Sequence, residues 1–310
     1  MIPGELVAGP GGASLLYFPD SGGYVRVSQT GAELFEALRH REPATPEELR
    51  FAAVLLRAAS RPPQSNTLRW CLWRPDRVVF AWAASISART WMILKAALWT
   101  WLAIALAITI HRLPEVLARP IQSVPYIVLP GMALLFLQLM VHELCHVFMA
   151  GRYGVRVRGA GVGLLYRFLP VGYTDLTDSY RLSDQRQRAW IALAGPALDL
   201  TALAVSLFAG AGPMLVSAQL GMLAADLVVL LPSDGCRALE ALLGGLDVRG
   251  RAFSLLWSGV TGGAVAPHLR GMGRFQRGAH MAYAALAIPY TAAQALGVAA
   301  IVRRMAGGGF

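Results

Sequence analysis

From Val124 to Val141 the chain is almost wholly apolar, and it then runs directly into His142-Glu143-Leu144-Cys145-His146. An apolar stretch of this length crosses most of a bilayer as a helix. On a helix, histidines four residues apart lie on one face, one turn apart, with the glutamate beside them. That set binds zinc and supplies a general base for attack by water. In a soluble helix the same residues read rather as two solvated histidines and a surface glutamate. Inside an apolar segment two imidazoles and a carboxylate are costly unless they have partners or a task. The motif therefore implies a metal site within, or at the edge of, a membrane.

The rest of the chain fits that setting. It is 55% hydrophobic and 15% charged, with a mean hydropathy of +0.49. Five apolar runs are near the length needed to cross: Trp91–Ile110, Val124–Ala150, Ala189–Gly210, Met214–Leu231 and Met281–Val302. The fold class expected is a mainly α, polytopic membrane protein with about five transmembrane helices and a small N-terminal α+β module. The first ten residues lack the basic start and apolar core of a signal peptide.

A net charge of +10 invites a nucleic-acid partner, but the distribution of arginines argues against one. Ten precede the first run, two follow it, seven lie between the second and third, none between the third and fourth, six between the fourth and fifth, and two at the end. That alternation follows the positive-inside rule. It places the N-terminus and the segments 151–188 and 233–279 in the cytosol, and the C-terminus outside. The partners implied are the bilayer and a peptide or membrane-protein substrate, with no nucleic acid. Three cysteines, Cys71, Cys145 and Cys236, are an odd number on the reducing side and argue against structural disulfides.

Residues 1–63 read as a cytosolic module. Ser14–Phe18 and Tyr24–Val27 read as strands around the turn Pro19-Asp20-Ser21-Gly22-Gly23. Thr30 to Glu33 has the spacing of a capping box opening a helix to about His40. Thr45-Pro46-Glu47-Glu48 opens a second, which runs to about Ser60 and stops before Pro62-Pro63. A hairpin followed by two helices makes a winged-helix-like module, either a plain cytosolic cap or a peptide-docking unit. Residues 64–90, with Trp70, Trp73 and Trp82 among arginines, read as an interfacial linker, and 91–310 as the membrane domain. In 151–188 the alternation of Val155 and Val157 with Arg156 and Arg158 reads as a strand, loosened by Gly159, Gly161 and Gly163. An extended edge there would take a substrate as an added strand; an ordinary loop is the other reading. The glycine-rich 233–279 segment reads as short helices with flexible joints.

A catalytic zinc takes three protein ligands and leaves one position open. Besides His142 and His146, the best third donor is Asp234, in Leu231-Pro232-Ser233-Asp234-Gly235. The arginine-derived topology sets it at the cytosolic end of the fourth run. His146 lies six residues before Arg152, about 9 Å from the interface, on the same side. Pro232 and Gly235 are expected to break the helix and turn Asp234 inward. Asp226 and Asp199 read as groups around the site or as substrate-positioning residues. Cys236 is a weaker ligand candidate, Cys145 a packing residue, and His268 and His280 loop residues.

These residues together resemble the site-2 protease family of intramembrane zinc metalloproteases. The resemblance rests on His142 to His146, Ala194-Gly195-Pro196 and Leu231 to Gly235, over about residues 90 to 240. Gly161 to Leu165 and Leu169 to Asp175 look like the peptide zinc metalloprotease branch, which is associated with bacterial peptide natural-product clusters. The N-terminal module is similar to winged-helix leader-peptide recognition domains typified by the pyrroloquinoline-quinone biosynthesis chaperone. The resemblance implies zinc held by His142, His146 and Asp234, with Glu143 activating water. It also implies hydrolysis of a peptide bond, most simply removal of a precursor-peptide leader gripped by the module. Cleavage of a transmembrane signalling protein is the alternative, and a non-catalytic transport or immunity subunit the reading outside the enzymes. Two positions depart from the family pattern. Asp199 stands where Asn is common after Gly-Pro, and Asp226 takes the place of the Asn that usually precedes the Asp-Gly element, with altered spacing.

Overall fold

The computed structural model describes residues 4–9, 14–18, 23–60, 67–120, 125–165, 169–231, 233–243, 247–265, 267–270 and 272–307. The N-terminal part is an antiparallel sheet of β1 (Glu5–Ala8), β2 (Ser14–Tyr17) and β3 (Tyr24–Val27), backed by α1 (Gln29–Leu38) and α2 (Pro46–Ser60). Leu16, Phe18, Phe35, Leu38, Ala52 and Leu55 close its core. β1 is an addition to the expected hairpin. The turn residues Pro19 to Gly22 and the stop signal Pro62-Pro63 lie outside the described residues.

The caps of the two helices differ from one another. α1 is capped by Ser28 rather than Thr30: Ser28 is extended and its Oγ accepts from Gly31 N at 3.0 Å, so Thr30 already lies within the helix. At α2 the expected reciprocal box forms. Glu48 N donates to Thr45 Oγ1 and Thr45 N to Glu48 Oε2, both at 3.2 Å. Arg41 also donates to Glu48, and with the Ala44 and Thr45 amides it holds that carboxyl down at about 2.

Three helices among the described residues are long and apolar enough to cross a membrane: α3 (Ala88–Ala118), Leu129–Arg152 within α4 (Pro125–Arg152), and α5 (Gln185–Phe208). Met92, Trp99 and Ile110 on α3 and Leu129, Phe136 and Leu137 on α4 stand exposed, as side chains facing lipid do. The fourth apolar run is not one helix. α6 (Pro213–Asp226) stops at Asp226, and the chain turns before α7 (Asp234–Leu242) begins. Beyond lie α8 (Val248–Thr261), α9 (Pro267–Arg270) and α10 (Arg274–Gly307), the last containing the fifth run. α8 and α10 pack through Val248, Ala252, Tyr283, Ala284 and Ala287. Val116, Leu203, Leu207 and Val216 tie α3, α5 and α6 together.

A second antiparallel sheet, in the order β4-β5-β6, lies against α4: β4 (Thr67–Trp73), β5 (Gly159–Leu165) and β6 (Leu169–Asp175). The stretch read as an interfacial linker therefore contains a strand. Val155 and Val157 are buried, but they precede the strand, and Val157 makes only an isolated bridge to Arg77. β5 pairs antiparallel with β6, and a register shift between Cys71 and Trp73 stands opposite Gly161 and Ala160, where the β5 glycines lie. These glycines let β4 come close, since a Cβ at Gly161 would overlap the Trp70 carbonyl.

The two sheets meet through a charged latch. Tyr17 and Tyr24, paired across β2 and β3, point at the segment after β6. Tyr24 Oη donates to Asp178 Oδ1 at 2.8 Å, Arg158 Nη2 to Tyr17 Oη at 2.6 Å and to Asp178 Oδ1 at 2.8 Å, and Arg181 Nε to Tyr24 Oη at 2.9 Å. Burial pushes the Asp178 carboxyl up, but the hydrogen bonds from Arg158 and Tyr24 outweigh it and hold the group below its ordinary range. A carboxyl depressed by folding stabilises above its unfolded value, about 4, and that contribution fades as pH falls through and below it. Asp178→Ala is expected to undock β2 and β3 at neutral pH, and acid is expected to weaken the same latch in the wild type. The change leaves Arg158 short of a buried partner, a loss of about 2 kcal/mol or more. Faster amide hydrogen exchange in β2 and β3 of the full chain checks this; unchanged exchange contradicts it.

Candidate metal centre

The three sequence-designated ligands converge. His142 Nε2 and His146 Nε2 face one another at 3.1 Å, and Asp234 Oδ2 lies 3.2 Å from the first and 3.1 Å from the second. Both histidines are buried. Each element contributes for a local reason. The i, i+4 spacing on α4 stacks the two rings, whose centroids are 4.8 Å apart. Asp234 opens α7, where Ser233 caps the helix by accepting from Cys236 N at 3.2 Å. Gly235 lets this first turn close on the end of α6, because a Cβ there would sit 2.9 Å from Leu227 Cα. Gly195 on α5 does the same at the rings, where any β-carbon would overlap both Nε2 atoms. Pro232 lies outside the described residues.

The protonation of the rings follows from their other nitrogens. His146 Nδ1 lies 2.7 Å from the Ile191 carbonyl, which can only accept, so that nitrogen carries the proton. His142 Nδ1 likewise donates to Asp199 Oδ2 at 2.7 Å. Both Nε2 lone pairs then point at one another and at a carboxylate oxygen, an arrangement that calls for a cation. Ligands about 2.0–2.1 Å from a tetrahedral zinc stand roughly 3.3 Å apart, close to the separations observed. The residues fit the metal.

Asp199, fully buried, also accepts from Gln138 Nε2 at 2.8 Å, and Gln138 Oε1 accepts from Gln219 Nε2 at 2.9 Å. Reading the sequence missed both glutamines. The signal was there for Gln138, a polar residue in an apolar run one turn before His142. Asp226 reaches within 3.9 Å of His142 Nδ1, so it belongs to this surround. His142, Asp199 and Asp226 also form a group of metal-donor types, but the Nδ1 proton given to Asp199 leaves that nitrogen no lone pair to share. Cys145 and Cys236 are in neither group, and His280 donates to the Gln276 carbonyl elsewhere. The His268 side chain lies outside the described residues. Glu143, beside the triad on α4, accepts from Thr174 Oγ1 on β6 at 2.7 Å.

Removing a carboxylate that orients a metal-binding imidazole typically weakens metal binding about 10–100-fold. Asp199→Ala is expected to do so. Asp199→Asn is expected to retain most affinity, because its amide oxygen accepts the same imidazole proton once Gln138 and Gln219 both turn over. Zinc titration of both variants checks the contrast; equal affinities in the two contradict it.

Membrane-length helices around two buried histidines, with half-buried Glu143 and Asp234 beside them, define a membrane metallopeptidase architecture. The model of peptidase family M50 matches residues 130–302, more than half of the chain, and the chain belongs to that family, a family of zinc metalloproteases. An uncharacterized protein of Methanocaldococcus jannaschii is 35% identical over 94 residues, 28% of this chain and 25% of that protein. The chain thus matches about a quarter of that relative's length. No solved structure matches the chain.

Proposed function

We propose that this protein is an intramembrane zinc metalloprotease that hydrolyses a peptide bond in a small or membrane-associated peptide. The observation that carries the reading is the convergence of Asp234 Oδ2, at the start of α7, on His142 Nε2 and His146 Nε2, which lie with Glu143 on a membrane-length helix. His142, His146 and Asp234 hold the ion. Zinc, when bound, polarises the scissile carbonyl and acidifies water. Glu143 takes the proton of the attacking water and passes it to the leaving amine. Asp199 and Ile191 keep both rings in the tautomer that offers Nε2. β6 is an edge strand among the described residues and passes Glu143 at Gly172 and Thr174, so an extended substrate pairing with it would lie across the site.

The substrate class is the leader-bearing precursor of a ribosomally made peptide, with residues 1–63 as the recognition module. The three-stranded sheet and two helices of that module, latched to the segment after β6, support this reading, as does the likeness to leader-recognition domains. The arginine distribution supports a cytosolic N-terminus, about five spans and an external C-terminus, with part of α10 as the last. Deleting residues 1–60 is expected to weaken binding of a precursor peptide at least tenfold, about 1.4 kcal/mol, in a fluorescence-anisotropy titration. Unchanged binding would remove the module from substrate recognition. A membrane-tethered regulator cleaved in place of any small precursor would move the substrate to the signalling class.

A further inference from the structure

Glu143 sits between α4 and β6, and β6 treats its two carboxylate oxygens differently. Thr174 Oγ1 donates to Oε2 at 2.7 Å. On the same face of the strand, two residues earlier, Gly172 lets the Glu143 side chain pack directly against the strand. A Cβ there would lie 2.8 Å from Oε1 and 3.0 Å from Cγ of Glu143. Glutamate has three side-chain torsions, and the last is soft, so packing alone leaves the carboxylate free to swing. A hydroxyl stops that swing. A glycine leaves the carboxylate room beside the strand.

Resting on the reading of Glu143 as the base, we propose that Thr174 is a positioning residue that holds Oε2 of Glu143, and that Gly172 gives the carboxylate the room to take that position. The hydroxyl of buried Thr174 needs a partner in any case, and Val would fill its space. The proposal therefore separates from a packing role. If Thr174 only fills volume, Val replaces it without cost. If it holds the base, Val releases the carboxylate and Ser restores it. Gly172→Ala acts from the other side. The atom its methyl meets is the mobile end of Glu143, so the carboxylate moves while the strand stays.

The test uses the full-length chain, with Glu143→Gln as the reference and a peptide shortened by the wild type as the probe. Thr174→Val is expected to lower kcat about 10- to 100-fold, the range for a misplaced reacting group. KM, zinc content and thermal midpoint are expected to stay at wild-type values. Thr174→Ser is expected to return kcat to within about threefold of wild type, since its hydroxyl reaches the same oxygen. Independently of activity, structures of Thr174→Val and Gly172→Ala should show the Glu143 carboxylate displaced from its wild-type position. A Thr174→Val protein with wild-type kcat and an unmoved carboxylate, alongside an inactive Glu143→Gln, overturns this proposal and leaves the general base standing. An active Glu143→Gln overturns the general base, and this proposal with it.

Discussion

Co-expressed with candidate precursor peptides, the wild type is expected to yield a shortened product, and Glu143→Gln to leave the peptide intact. The substitution keeps the shape of the side chain and the acceptor for Thr174 Oγ1, and removes only the charge that takes a proton. General bases contribute about 10²–10⁴ to rate, so the loss should take cleavage to the limit of detection by intact mass spectrometry. Zinc should remain, because Glu143 is not among the three converging donor atoms. Cleavage by the variant at the normal rate would remove Glu143 from the mechanism. A peptide left uncut by both proteins, with zinc in each, would point to a membrane regulator as substrate or to a non-catalytic role.

A change that touches no ligand is expected to be as damaging. Gly195→Ala puts a methyl group where it overlaps Nε2 of both His142 and His146. One ring must give way, and the three donor atoms can no longer meet at one point. Zinc content is expected to fall about tenfold or more, since structural departures around a metal site cost that much or greater. The helix itself gains, because alanine is about 1 kcal/mol better than glycine in a helix interior. Metal loss is therefore the signature, read by zinc stoichiometry, while in the apo protein an overpacking cost of about 1–3 kcal/mol at two buried, hydrogen-bonded rings opposes that gain. Wild-type zinc content in Gly195→Ala would contradict the close approach of α5 to the two rings.

The convergence at the centre was legible from local signals. His142 and His146 need only the helical repeat. Asp234 follows from arginines counted on alternate sides of the apolar runs, which put it at the depth of His146. What was not legible depends on partners distant in the chain. Thr174 meets Glu143 across 31 residues, and nothing in Tyr173-Thr174-Asp175 announces that contact. β4 was read as an interfacial linker because its tryptophans and arginines suit the headgroup layer. The alternation of Leu68, Trp70 and Leu72 with Arg69 and Cys71 was the strand signal beneath that composition. The fourth apolar run shows the limit of hydropathy. Its apolar character continues past Asp226, but the helix stops there, and that stop is what turns the chain toward Asp234.

The central claim is that two imidazoles and one carboxylate hold a zinc ion. X-ray absorption at the zinc edge of the purified, full-length protein tests it most directly. The account expects a first shell of nitrogen and oxygen alone at about 2.0–2.1 Å, with imidazole scattering beyond it. A sulfur contribution at about 2.3 Å would contradict it by bringing a cysteine such as Cys236 to the metal in place of Asp234.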